Sequence, residues 1–200
     1  MTFPKETQGT PVAERRFFAC PDIEVRAAGD AGPTVLIGYA ALFDELSDDL
    51  GGFREKIAAG AFAKAVGGDV RALFNHDPNL ILGRTRSKTL VLAEDNRGLR
   101  CEITLPNTSI ARDLAESIRL GDVDQMSFGF RTKADKWEDI NGKLTRTLLE
   151  VELFDVSPVT FPAYPQTEIA KRSLASWQAD QLPPVPDYAI ERRRLELLAL

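Results

Sequence analysis

Only one of the 200 residues is a histidine, His76, set in the stretch FNHDPNLILGR between a strand-like run and an Asp-Pro turn. A single imidazole cannot build most metal sites, which need several His, Cys or carboxylate ligands at compact spacing. It can serve a nucleophile, because that chemistry needs one base that titrates near neutrality within reach of a hydroxyl or thiol. The residues that could complete such a unit are Ser127 and Asp155, with Cys20 and Cys101 as competing nucleophiles.

In QMSFGF a period of two puts Met126, Phe128 and Phe130 on one face, with Ser127 and Gly129 on the other. A small hydroxyl beside a glycine leaves room for another backbone, which suits a nucleophile reached by an extended peptide. The same pattern also fits an ordinary strand serine. In LTRTLLEVELFDVSPVTF the alternation aligns Thr147, Leu149, Val151, Leu153 and Asp155, so that an acid ends an apolar row. A buried carboxylate requires a partner. Asp155 could hold the His76 imidazole in one tautomer and stabilise it when protonated, or be a hydrogen-bonded structural acid. DVRALFNH likewise aligns Val70, Ala72, Phe74 and His76, placing the imidazole at the end of an inward-looking row.

Other candidates carry less. Cys101 alternates with Leu99, Ile103 and Leu105 on one face of GLRCEITLP and reads as a core residue. Asp77 points away from its neighbour His76 and, before Pro78, serves the turn. No zinc spacing occurs, while a carboxylate-only magnesium site stays open. Neither a phosphate-cradling loop nor a dinucleotide fingerprint is present, so no cofactor is expected.

A chain 44% hydrophobic and 28% charged fits one soluble globular domain with tails. A net charge of −5 argues against a general nucleic-acid binder. No run approaches the roughly 20 apolar residues of a membrane span, and MTFPKETQGT lacks a signal-peptide core. A cytoplasmic address and reduced thiols are therefore expected.

PTVLIGYAAL reads as a strand broken at Gly38, and FREKIAAGAFAKAVGG as one or two short helices ended by Gly67 and Gly68. TLVLAED and LRCEITLP form a hairpin around Asp95, Asn96 and Gly98. NTSIARDLAESIRLGDV is the clearest helix, capped by Thr108 or Ser109, carrying Ile110, Leu114 and Ile118 on one face, and closed by Gly121. The expected fold class is mainly β with flanking helices (α+β), a barrel core surrounded by helices. The folded body spans 15–172. Residues 1–14 form an N-terminal tail, and 173–200 a PPVP linker and C-terminal tail with helical potential over Tyr188 to Leu200 and a basic run, Arg192 to Arg194.

Five segments in order, GYAALFDELS, GFREKIAAGAFAKAV, LFNHDPNLILGRT, DLAESIRLGDVDQMSFGF and LFDVSPVTFPAYPQTEIA, cover roughly Ile37 to Ala170. Together they resemble the prohead, or capsid maturation, proteases of tailed bacteriophages, serine peptidases similar to herpesvirus assemblin. The resemblance implies an assemblin-like barrel, a catalytic histidine at His76 of NHD and a nucleophile at Ser127 of MSFGF. The family's third member is an acid, commonly Glu in an EVS-like stretch. Here that stretch reads Asp155-Val156-Ser157, with Glu150 as the alternative. Oxyanion donors are sought among backbone N–H groups near Ala163 and Tyr164, and Pro158, if in a strand, belongs at an edge or bulge.

The biological role implied is removal of the scaffolding portion of the major capsid protein precursor, together with self-cleavage, inside the immature capsid in the host cytoplasm. Homo-oligomerisation is implied as well. Two rivals stay open: an inactive capsid-assembly or scaffolding factor that keeps the fold, and a metal-assisted hydrolase using Asp77, Glu150 and Asp155.

Overall fold

Runs of alternating apolar and polar residues, punctuated by Gly, Asn and Asp, fold into ten strands and two helices in a computed structural model that describes residues 14–19, 23–27, 32–161 and 167–181. The strands are β1 Glu14–Ala19, β2 Glu24–Ala27, β3 Thr34–Leu42, β4 Arg54–Ile57, β5 Arg71–Phe74, β6 Asp77–Arg84, β7 Leu90–Glu94, β8 Gly98–Thr104, β9 Gln125–Ile140 and β10 Lys143–Val159. The helices are α1 Ser109–Leu120 and α2 Thr167–Gln181. One sheet runs β1-β9-β10-β5-β6, with β4 also on β10, and the other runs β2-β3-β8-β7.

The sheets meet at both margins, β6 against β7 and β8, and β3 against β1 and β9. They curl around one core that joins Leu36 of β3, Leu99, Cys101 and Ile103 of β8, Phe128 and Phe130 of β9, and Leu148 and Val156 of β10. The fold is mainly β with helices at its margin, as the sequence led us to expect. The β7–β8 hairpin and the core position of Cys101 also hold. Residues 1–13, Cys20 and residues 182–200 lie outside the described residues, and with them the PPVP linker, the Tyr188–Leu200 helix and the Arg192–Arg194 run expected there.

The longest element is the β9–β10 hairpin, whose Asn141-Gly142 connection has φ of 55° and 75°. Positive φ at both central residues is what a two-residue primed turn demands, and Asn-Gly meets it at little cost. The strands therefore stay paired, with local register shifts, from the turn to Gln125 and Val159, and place Asp155 opposite Gly129, two residues along β9 from Ser127.

Three local expectations need correction. FREKIAAGAFAKAVGG forms no helix: Arg54–Ile57 pair in parallel with β10, and residues 59–66 make successive turns. Backbone bonding to β10 takes over, with Ala58 N–H donating to Leu148 O and Val151 N–H to Ala61 O, while Gly60 at φ 93° breaks the helical path. Gly38 does not end its strand. It lies within β3 opposite Cys101, whose thiol donates to the Gly38 carbonyl. In α1 the caps are Thr108 and Gly121 as expected, but the buried stripe is Ala111, Leu114, Ala115 and Ile118, and Ile110 is exposed.

A second apolar cluster lies under α2, where Leu50 and Phe53 pack with Trp137, Leu144 and Leu174, and Trp177 stacks on Trp137 at 5.4 Å. Beside it a buried ion cluster joins four strands. Arg16 of β1 and Arg146 of β10 share the carboxylates of Glu14 and Glu55, and Arg146 also meets Asp135 of β9. Burial by itself would push the Glu14 carboxyl up. The charges of Arg146 and Arg16, with hydrogen bonds from Arg146 and Thr132, leave it below its ordinary value of 4.5.

Candidate active site

His76 is not the last residue of a straight strand. β5 and β6 form a hairpin in which Phe74 pairs with Asp77, leaving Asn75 and His76 as a two-residue turn with φ of 53° and 58°. Irregular register on both sides of Leu73 breaks the alternation that the sequence suggested. Asn75 and His76 are both of types enriched in the left-handed conformation among non-glycine residues, though each is still held there against a small conformational cost. Asn75 also ties the turn to the end of β10: its N–H donates to Pro158 O at 3.0 Å, and its Oδ1 accepts from Thr160 N–H at 2.9 Å.

Asp155 reaches the same place by a β-bulge. Leu153 pairs with Phe130 and Asp155 with Gly129, so Phe154 is an extra residue on β10. The insertion reverses the alternation. Leu153 and Val156 both face the core, and Asp155 comes out on the opposite face rather than ending the apolar row. Ser127 lies on that outer face too, opposite Met126, Phe128 and Phe130, as its sequence pattern implied. The glycine two residues on serves a different purpose from the one expected. A β-carbon at Gly129 would overlap Asp155 Oδ1 and stand 3.2 Å from its Cγ, so the space belongs to the carboxylate rather than to an incoming backbone.

The three side chains form one hydrogen-bonded chain. His76 Nδ1 is 2.5 Å from Asp155 Oδ2, and His76 Nε2 is 2.6 Å from Ser127 Oγ. Ionised carboxylate oxygens only accept, so Nδ1 carries the proton and Nε2 turns its lone pair to the serine hydroxyl. Asp155 Oδ2 takes a second hydrogen bond from Ser157 Oγ at 2.9 Å. Ser127 Oγ also lies 2.8 Å from the Arg16 carbonyl, so its single proton has two acceptors to choose between. All of this is shielded: Ser127 is 0% exposed and His76 7%. Burial weakens screening and strengthens each of these interactions. A cavity of about 380 Å³ opens beside the imidazole, lined by Arg15, Asn75, His76, Val159, Thr160 and Phe161.

The remaining candidates lie elsewhere. Asp77 Oδ1 accepts from the backbone and side-chain N–H groups of Asn79, a local turn motif. Glu150 pairs with Lys64 at 2.7 Å. Among the described residues no group of three or more His, Cys, Asp and Glu converges as metal ligands would, and no helix is long and apolar enough to cross a membrane. Ala163 and Tyr164, expected as oxyanion donors, lie outside the described residues. Pro158 lies in β10 beyond the two residues paired with β5, and its carbonyl faces the Asn75 turn. The N and O of one strand residue point to the same edge, so its missing N–H costs that ladder nothing.

Asn75 and Ser157 were not singled out in the sequence. For Ser157 the sign was its two-residue spacing from Asp155, which puts both side chains on one face of a strand; the structure sets Asp155 opposite Gly129 and Ser157 opposite Ser127. For Asn75 the only sign was an asparagine directly before the histidine.

Comparisons with known proteins bear on the family and the fold. A family model described as caudovirus prohead serine protease matches residues 21–180. Among curated proteins none matches the sequence. Among solved structures the fold is similar to that of the bacteriophage T4 capsid assembly protease, gp21, with a TM-score of 0.52 at 13% identity, covering 77% of this chain and 100% of that one.

Proposed function

The chain belongs to the caudovirus prohead serine protease family, and on that premise we propose that it is a serine endopeptidase using Ser127, His76 and Asp155 as nucleophile, base and orienting acid. The observation that supports this reading is the continuous chain Ser127 Oγ, His76 Nε2, His76 Nδ1, Asp155 Oδ2. Ser127 Oγ attacks the scissile carbonyl as Nε2 takes its proton, and Asp155 stabilises the imidazolium that forms. His76 then protonates the leaving amine, and water repeats the cycle on the acyl enzyme.

The substrate in this reading is the scaffolding portion of the major capsid protein precursor, with self-cleavage of the chain's own termini and homo-oligomerisation inside the prohead, within the host cell. The cavity at His76 is where a peptide would enter. Because Ser127 has no exposed surface, a scissile carbonyl meets Oγ only after the chain around it shifts. The Arg16 carbonyl supports the same view, since it offers the hydroxyl proton an acceptor other than His76.

The purified chain incubated with its capsid precursor, with and without EDTA, tests the proposal. Cleavage that EDTA leaves unchanged is expected. Loss of cleavage with EDTA would favour the metal-assisted hydrolase, and an intact precursor throughout would favour the inactive assembly factor.

A further inference from the structure

We propose that Ser157 is a positioning residue of this site, acting through Asp155; the inference rests on the serine endopeptidase reading above. A carboxylate rotates easily about χ2, because torsions ending in an sp² group have broad minima. Asp155 must nevertheless keep Oδ2 on His76 Nδ1 if Nε2 is to face Ser127. Two neighbours restrict it. On one side Oδ1 lies in the space left by the missing Gly129 side chain. On the other Ser157 Oγ–H donates to the same Oδ2 that accepts from the imidazole, at 2.9 Å.

Ser157 is well built for this task. It is 0% exposed, and the two-residue spacing from Asp155 puts both side chains on one face of β10. Val156 between them faces the core. The Ser157 hydroxyl has one proton, and Asp155 is the acceptor it meets among the described residues. A donor to Oδ2 also takes up part of the carboxylate's negative charge. Without it, more of that charge acts on the imidazolium.

Among the described residues the charged groups near His76 are these. Asp155 approaches from β10, and Arg15 of β1 lies across the cavity. Arg71 of β5 is turned to Asp69, and Asp77 of the same hairpin is held by Asn79. A change at Ser157 therefore reaches the imidazole through Asp155.

The experiment compares wild type, Ser157→Ala and Ser157→Thr by cleavage kinetics on a precursor-derived peptide, and by ¹⁵N NMR titration of the chain's only histidine. For Ser157→Ala we expect kcat to fall about 10- to 100-fold, the loss typical when a hydrogen-bond partner that orients a metal-binding side chain is removed, taken here as the scale for orienting Asp155. KM should stay within about twofold, since ground-state binding is untouched. The imidazole titration and the acid limb of kcat/KM should both move to higher pH, and Ser157→Thr should restore most of each. Wild-type kcat with an unmoved titration in Ser157→Ala would overturn the proposal. So would a loss of kcat matched by loss of folded protein with the titration unmoved. Failure of the endopeptidase reading looks different: Ser127→Ala would then cleave as well as wild type, while the NMR titration would still report on Ser157.

Discussion

Gly129 and Asp155 face each other across β9 and β10, and the carboxylate occupies the space where a β-carbon at position 129 would stand. The glycine matters through what it leaves empty. Gly129→Ala should fold, since alanine suits a strand at least as well as glycine, yet it must displace Asp155 from His76. A shift on the order of 1 Å at a reacting group costs about 100-fold in rate. Cleavage by Gly129→Ala should fall by that order while thermal unfolding shows an intact domain. Wild-type rates in a folded Gly129→Ala would mean that Asp155 needs no such space.

Asn75 should matter for where His76 is held. Asn75→Gly keeps the positive φ without strain but loses both side-chain bonds to Thr160. Each is worth about 1 kcal/mol. We expect a lower kcat with stability reduced by about 1–2 kcal/mol, read from urea unfolding. Asn75→Ala should be worse by about a further 1 kcal/mol, because alanine resists the left-handed conformation. Equal stability of the two variants would contradict the turn geometry.

The ion cluster predicts a response to both mutation and acid. Arg146→Met would leave Arg16 alone to balance the buried carboxylates of Glu14 and Glu55 and would take from Asp135 its Arg146 partner, and removing one member of a buried pair costs about 3–5 kcal/mol. For pH, the folded-state value of Glu14 lies below its ordinary 4.5. Its contribution is therefore fully present above pH 4.5 and is lost as pH falls through the lower folded value. Urea midpoints of wild type should fall with acid below pH 4.5. Glu14→Gln should be less stable at neutral pH and show a flatter acid dependence; an unchanged slope would mean that other groups carry it.

How much of this was legible in the sequence depended on whether period two survived. It survives from Gln125 to Phe130, so the face shared by Ser127 and Gly129 could be read directly. It fails on β10, where the extra residue Phe154 reverses the alternation before Asp155, and on β5, where His76 sits past the strand in a left-handed turn. Both residues were singled out, yet the geometry that aims them comes from a bulge and a turn that side-chain patterning does not encode. Arg54 to Val66 failed for another reason. Its alanines favour a helix locally, but hydrogen bonds to β10, a strand far later in the chain, outweigh that preference.

The role of Ser127 as nucleophile is tested most directly by mass spectrometry of the wild-type chain and Ser127→Ala, each incubated alone and with the capsid precursor. Discrete cleavage of precursor and chain is expected in wild type, and both intact with Ser127→Ala, since loss of the nucleophile typically removes about a million-fold of rate. The same fragments from both proteins would contradict it.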